Sequence, residues 1–242
     1  MRVLVLSDIH ANHAALAAVI EAAGEIDAAW CLGDIVGYGP SPNECVALVR
    51  ELPNLICLQG NHDAAATGDL PLDSFNYEAR SSIEWLQKNL SAESASFLKG
   101  LSQRSSWGKY TLVHASPRKP ILEYLLDTQA ALENFGYFES AYCFVGHTHI
   151  PTLFHLPAGG QAVSLLTRPT HDPIALEPRS IVNPGSVGQP RDHDPRAAFA
   201  ILDSEEASWE YQRVEYDIRG VQKLMKAALL PERNITRLET GW

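Results

Sequence analysis

Three short apolar runs in the first sixty residues each break off into a polar cluster, with helical patterns between them. Val3 to Leu6 ends in Ser7-Asp8, Ala28 to Leu32 in Gly33-Asp34, and Leu55 to Leu58 in Gly60-Asn61-His62-Asp63. Runs this short and apolar suit parallel strands buried on both faces. After the first run, Asn12 is placed to cap a helix whose apolar face is Leu16, Val19, Ile20 and Ala23, a spacing of i, i+3, i+4 and i+7. Ser41-Pro42-Asn43-Glu44 reads as a capping box with proline at the first helical position. Strand, helix, strand, helix, strand implies an α/β fold built on a parallel sheet with right-handed crossovers.

Further along, Ala79, Ile83, Leu86 and Leu90 fall on one helix face, and Ser91 is placed to cap another short helix. Tyr110 to Val113 and Tyr142 to Val145 read as strands, ending at His114 and at Gly146-His147-Thr148-His149. The stretch from Pro151 to Ser208 reads as short strands and turns, rich in Gly and Pro. Ile218, Val221, Leu224, Met225 and Leu229 mark an amphipathic helix. No linker divides the 242 residues, so a single domain over 1–242 is expected.

The net charge of −10 disfavours tight binding to duplex nucleic acid or to an anionic membrane. Cys31, Cys45, Cys57 and Cys143 form no CxxC pair and match no zinc spacing, and their apolar neighbours predict buried, reduced thiols. The N-terminal apolar run is too short for a signal-peptide core, and no window approaches the roughly 20 apolar residues of a membrane span. A cytoplasmic protein with no membrane partner is expected, and the sequence leaves a homo-oligomer open.

Residues suited to metal chemistry gather at the ends of five predicted strands: Asp8 and His10, Asp34, Asn61 and His62, His114, then His147 and His149. In open α/β sheets, ligands bind outside the carboxyl ends of the strands. Residues two apart at a strand end point the same way, so Asp8 and His10 can reach one ion, and so can His147 and His149. Asp34 follows a glycine, which lets the backbone approach closely. Oxygen and imidazole donors without thiolate suit manganese, iron, nickel, cobalt or zinc better than calcium or a structural zinc. Taken singly, each has a bland reading: His114 a hydrogen-bonded buried histidine, Asp34 a cap, Asn61 a turn residue. The ordered set is harder to explain as caps. Outside it, His13 belongs to a first helical turn, while His155, His171 and His193 read as solvated loop histidines.

The ordered set resembles the calcineurin-like metallophosphoesterase superfamily, and within it the small bacterial and archaeal phosphodiesterase-like branch. The family's motifs correspond here to Asp8-Ile9-His10, Gly33-Asp34, Gly60-Asn61-His62-Asp63, His114 and Gly146-His147-Thr148-His149. The resemblance spans residues 1 to about 200 and implies two mixed β-sheets packed as a sandwich flanked by α-helices. It implies two divalent metal ions, manganese first among the candidates. One would be held by Asp8, His10 and His149 and the other by Asn61, His114 and His147, with Asp34 bridging both. His62 would be a non-ligand that protonates the departing oxygen or stabilises charge there, with Asp63 orienting its imidazole. Two dications sharing a water lower its pKa and yield a bridging hydroxide at neutral pH.

Two loops remain. Asn183-Pro184-Gly185-Ser186-Val187-Gly188-Gln189-Pro190-Arg191 is similar to an NPGS…PR loop of small members of the superfamily. Arg191 either clamps a substrate phosphate or is a surface arginine on a structural turn. Arg118, in His114-Ala115-Ser116-Pro117-Arg118, has a weaker version of the same role. Asn12 either touches the substrate or serves only as a cap. The protein-phosphatase motif G-D-x-x-D-R-G is replaced by Gly33-Asp34-Ile35-Val36-Gly37-Tyr38-Gly39, without its second acid and arginine, which argues against protein phosphatase activity. The short acidic chain argues against the longer DNA-repair nucleases. A site with few arginines favours phosphodiesters, which carry one charge fewer than monoesters. The expected substrate is a small phosphate ester or nucleotide, and Tyr38 either stacks a base or packs on its own loop. A phosphomonoesterase and a non-catalytic scaffold of the same fold are the alternatives.

Overall fold

The computed structural model describes residues 1–167 and 172–242. The first third alternates as expected: β1 (Arg2–Leu6), α1 (His13–Ala23), β2 (Ala28–Cys31), α2 (Pro42–Arg50), β3 (Ile56–Cys57) and α3 (Asn61–Ala66). Helices α4 (Tyr77–Asn89) and α5 (Ala92–Lys99) follow, then β4 (Arg104–Trp107), β5 (Tyr110–Val113), α6 (Thr128–Asn134) and β6 (Tyr142–Phe144). The turn-rich stretch supplies β7 (Thr152–His155), β8 (Ser164–Thr167), β9 (Ile174–Ala175), β10 (Ser180–Asn183) and β11 (Ala197–Asp203). β12 (Ser208–Val214), α7 (Ile218–Ala227) and α8 (Glu232–Thr240) complete the chain.

The strands form two six-stranded mixed sheets, ordered β3-β2-β1-β11-β12-β9 and β4-β5-β6-β10-β7-β8. β1, β2 and β3 pair in parallel in the first, and β5, β6 and β10 in the second. Both sides of β1 are buried, which is why it reads as a continuous apolar run. Val3 and Val5 enter the core between the sheets, and Leu4 and Leu6 pack under α1 and α2. Trp30, Tyr110, Phe144 and Trp209 fill the inter-sheet core, with Phe144 and Trp209 ring centroids 5.0 Å apart. The outer face of the second sheet is covered by Leu125, Phe135 and Phe138. This is the sandwich flanked by helices that the motifs implied.

Local expectations fare unevenly. Asn12 accepts from the Ala15 amide at 3.2 Å and Ser91 from the Ser94 amide at 3.1 Å, so both caps form. Ser41 stands at the start of α2 with Pro42 in its first turn, but its side chain makes no capping bond, so the capping box is corrected to a proline-started helix. The third strand is only two residues long. In α7, Val221 and Met225 are buried against α8, whereas Leu224 is 54% exposed and Leu229, 89% exposed, lies beyond the helix end. The apolar stripe is therefore narrower than the sequence suggested, because α7 packs on α8 and on the edges of α1 and α4, at Ala14 and Trp85, rather than on a sheet. His155 lies in β7 rather than in a loop, and His193 stacks on Trp242 with centroids 4.7 Å apart. His171 lies outside the described residues.

Candidate metal centre

The loops that follow β1, β2, β3, β5, β6 and β10 meet at one edge of the sandwich. Close approach there depends on glycine: a Cβ at Gly60 would collide with the Asp34 carboxylate, and one at Gly146 with Ser7 Oγ. The NPGS loop after β10 closes the floor. Asn183 Nδ2 donates to the Gly146 carbonyl at 2.7 Å, Ser186 Oγ to the Asp8 carbonyl at 2.7 Å, and Asn12 Nδ2 to the Gly188 carbonyl at 3.0 Å. Asn12 is thus a cap and a strut, with no free polar atom for substrate.

Asp8, His10, Asp34, His147 and His149 all have positive φ, between 50° and 65°. Non-glycine residues rarely adopt this left-handed conformation, and its concentration here marks a site held by the surrounding fold. Strand alternation therefore does not aim these side chains. Ligating atoms of Asp8, His10 and His149 lie within 4.8 Å of one another, and so do those of Asp34, His114 and His147. The expectation that residues two apart reach one ion holds for Asp8 and His10, which share a group, but not for His147 and His149, which fall in different ones.

Backbone carbonyls decide the chemistry of three imidazoles. His10 Nδ1 faces the Val36 carbonyl at 3.3 Å, His114 Nδ1 the Leu32 carbonyl at 2.9 Å, and His149 Nδ1 the Gln189 carbonyl at 2.6 Å. A carbonyl only accepts, so each Nδ1 carries the proton. Burial pushes His10 and His149 well below the ordinary histidine range, so their Nε2 atoms are bare acceptors. Yet these two Nε2 atoms stand 3.0 Å apart, and Asp8 Oδ1 lies 3.3 Å from that of His149 and 3.8 Å from that of His10 with no hydrogen-bond partner among the described residues.

Asp34 lies between the two groups. Its Oδ2 is 3.7 Å from His10 Nε2 and 3.4 Å from His114 Nε2, and its Oδ1 accepts from the His62 amide at 2.9 Å. Burial works against its charge, but His114 and His62 outweigh burial and hold the carboxyl below its usual range. Asp8 is pushed up to about 7, chiefly by burial, which outweighs the opposing pull of His114. Burial also opposes a charge on His114, yet Asp34 raises it to about 9. Asn61 Oδ1 is 3.2 Å from His114 Nε2, and buried His147 Nε2 has no partner among the described residues. Converging bare nitrogens and unpartnered carboxylate oxygen suit metal ions, which would replace the missing partners.

His62 is buried and also lies within reach of His10 and Asp34. Burial lowers it to about 4, and its Nδ1 has no partner among the described residues. Asp63 does not orient it. The Asp63 carboxylate accepts from the amides of Asp34 at 2.8 Å, Gly60 at 3.0 Å and Val36 at 3.1 Å. Adjacent residues on a helix face different directions, so the carboxylate of Asp63 in α3 braces the loop after β2 instead. Arg118 is likewise turned away: it forms ion pairs with Glu123 and Glu133. Arg191 stays at the centre's edge, its Nη2 3.0 Å from Gln189 Oε1 and 3.4 Å from the Tyr38 hydroxyl.

Tyr38 is buried, with its ring centroid 4.7 Å from His10 and 4.5 Å from His62, so it packs on the site rather than offering a free face. Two residues escaped the sequence reading. Tyr124, 49% exposed, packs against His147 with ring centroids 4.1 Å apart and the planes tilted by 35°, and Arg237 of α8 donates to Gln189 Oε1 at 3.2 Å. Neither carries a local motif that would have revealed it.

A buried cluster of imidazoles and carboxylates at the strand ends of a two-sheet sandwich defines a metal-binding hydrolase type of site. The chain belongs to the calcineurin-like phosphoesterase superfamily, whose domain profile matches residues 1–207. It is 45% identical to a metallophosphoesterase from Sphaerobacter thermophilus, with a TM-score of 0.90 over 100% of this chain and 99% of that one. An uncharacterised protein of Methanocaldococcus jannaschii is 37% identical over 99% of this chain and 98% of its own. A hypothetical protein from Pyrococcus horikoshii shares the fold, with a TM-score of 0.82 at 23% identity over 100% of this chain and 98% of that one. The protein is a phosphate-ester hydrolase of a metal-dependent family. Among the described residues, no helix is long and apolar enough to cross a membrane.

Proposed function

We propose that the chain is a two-metal phosphoesterase that favours phosphodiesters, carried by one domain over 1–242 and acting in the cytoplasm on a small phosphate-ester or nucleotide substrate. The observation that carries this reading is the pair of bare nitrogens, His10 Nε2 and His149 Nε2, 3.0 Å apart beside unpartnered Asp8 Oδ1. Two acceptors at that distance repel unless a cation joins them. In this reading Asp8, His10 and His149 hold one ion, Asn61, His114 and His147 the other, and Asp34 reaches both, with manganese favoured over iron, nickel, cobalt or zinc. Bound there, two dications would acidify a water molecule and neutralise the phosphate oxygens.

The remaining roles belong to the chain. His62, held neutral by burial, donates a hydrogen bond to the leaving oxygen. Arg191 donates to a non-bridging phosphate oxygen. Asp63 holds the backbone of Asp34 in place through three amides. The deciding test uses metal-stripped protein, added Mn²⁺, and bis(p-nitrophenyl) phosphate beside p-nitrophenyl phosphate. Metal-dependent cleavage with the diester faster is expected. A faster monoester would overturn the substrate preference, and silence on both with two ions bound would overturn the catalytic reading.

A further inference from the structure

We propose that Arg237 of α8 joins Arg191 in an anion subsite beside the metal centre, built for a second phosphoryl group on the substrate. The inference rests on the phosphoesterase reading above and narrows its substrate class to phosphate compounds with a further phosphate next to the scissile one, such as nucleoside diphosphate esters.

Gln189 Oε1 accepts from Arg191 Nη2 at 3.0 Å and from Arg237 Nη1 at 3.2 Å. One neutral oxygen therefore holds two guanidinium groups side by side. Neither has a salt-bridge partner among the described residues, and the Nε of each is buried without a hydrogen-bond partner. Burial, then the Arg191 charge, hold Arg237 below the ordinary arginine range. Other arginines near acids are neutralised: Arg118 with Glu123 and Glu133, Arg196 with Asp194, Arg213 with Asp192, and Arg233, on the same helix as Arg237, with Glu78. Arg104 and Arg179, which form no ion pair among the described residues, instead donate to backbone carbonyls. Two unpaired, partly buried like charges repel, and a polyanion between them reverses the sign.

The pair also stands in the right place. The Arg191 guanidinium lies over the Tyr38 ring, 5.8 Å from its centroid. That ring packs against His10 and His62, and the Arg191 amide donates to the His149 carbonyl at 3.3 Å. A simple phosphodiester carries one negative charge, which two dications and Arg191 already compensate. A second arginine is surplus unless the substrate brings further charge. Of the two arginines, Arg191 lies within the matched residues 1–207 and Arg237 lies beyond them, on α8.

The test compares the p-nitrophenyl esters of thymidine monophosphate and thymidine diphosphate on the Mn²⁺-loaded enzyme. The wild type is expected to prefer the diphosphate ester. Arg237→Met should cut kcat/KM for that ester by about ten- to a hundredfold, the worth of a charge-assisted bond, and cut the monophosphate ester less, so the ratio falls. Arg237→Lys should recover part of the ratio, since the charge stays and the planar fork is lost, and it carries the test should the Met variant fail to fold. Arg50→Met removes an exposed arginine paired with Glu93 and should leave the ratio unchanged. A ratio unmoved by Arg237→Met, or moved equally by Arg50→Met, overturns the subsite and makes Arg237 a strut. Calorimetry on the Mn²⁺-loaded protein separates the two proposals. Arg237-dependent tighter binding of thymidine diphosphate than of thymidine monophosphate supports the subsite even if no ester is hydrolysed. Equal binding in wild type and variant overturns it whatever the activity.

Discussion

Arg118 and Arg191 each follow a proline in a loop leaving a strand of the second sheet, and in sequence they look like two versions of one device. Their surroundings are opposite. Arg118 pairs with Glu123 and Glu133, and Asn134 and Ser116 also bond Glu123. Arg191 has one neutral amide oxygen and a tyrosine hydroxyl. The first cluster is satisfied from within and needs nothing else. The second continues into the candidate metal centre, where Asp8 Oδ1, His62 Nδ1 and His147 Nε2 have no partner among the described residues. Buried polar groups are normally paired, so a self-satisfied cluster reads as a staple and an unsatisfied one as a place for a ligand.

Four measurements break or sharpen that contrast. Asp34→Asn should have the largest effect, since the carboxylate reaches both groups of ligands: turnover falls by more than about a hundredfold and metal analysis finds less than two ions per chain. Two ions retained would refute the bridge. Next, His62→Ala should keep both ions while turnover drops by about 10²–10⁴. Loss of metal there would make His62 a ligand. Third, Mn²⁺ at about a hundred times its Kd should stabilise the stripped protein by about 2.7 kcal/mol. A melting temperature indifferent to metal would mean that the orphaned atoms satisfy one another.

The smallest effect belongs to the satisfied cluster. Glu123→Gln should lower the melting temperature by a few degrees and leave metal content unchanged. Burial opposes the Glu123 charge, but Arg118, Ser116 and Asn134 outweigh it and hold the carboxyl down at about 2, against an ordinary 4.5. A depressed carboxylate stabilises fully above its unfolded value, and that contribution fades as pH falls from about 4.5 toward 2. The melting gap between wild type and Glu123→Gln should therefore close across that window. A gap that persists at pH 2 would assign the loss to packing instead of charge.

Much of this was legible in the sequence. The strands before Asp8, Asp34, Asn61, His114 and His147 were readable because a buried parallel strand needs an unbroken apolar run, and the run's end names the residue at the sheet edge. The Asn12 and Ser91 caps were legible for a similar local reason. The Ser41 box failed because a side-chain cap depends on a rotamer that pattern alone does not set. α8 went unread because its buried residues, Asn234, Ile235 and Leu238, are few, and it is stabilised by α7 rather than by its own periodicity.

By itself, then, the sequence determined which residue types stand at which strand ends, since that depends only on neighbours along the chain. The tertiary structure decided how they combine. Left-handed backbone at Asp8, His10, His147 and His149 sends His149 to Asp8 and His147 to Asp34, across separations no local spacing encodes. Helical geometry turns Asp63 from His62 to the amides of the neighbouring loop, and nearby carboxylates remove Arg118 from the site. The packing of α8 brings Arg237 beside Arg191. Charge compensation is a property of space, and only the folded chain specifies which charges are left without a partner.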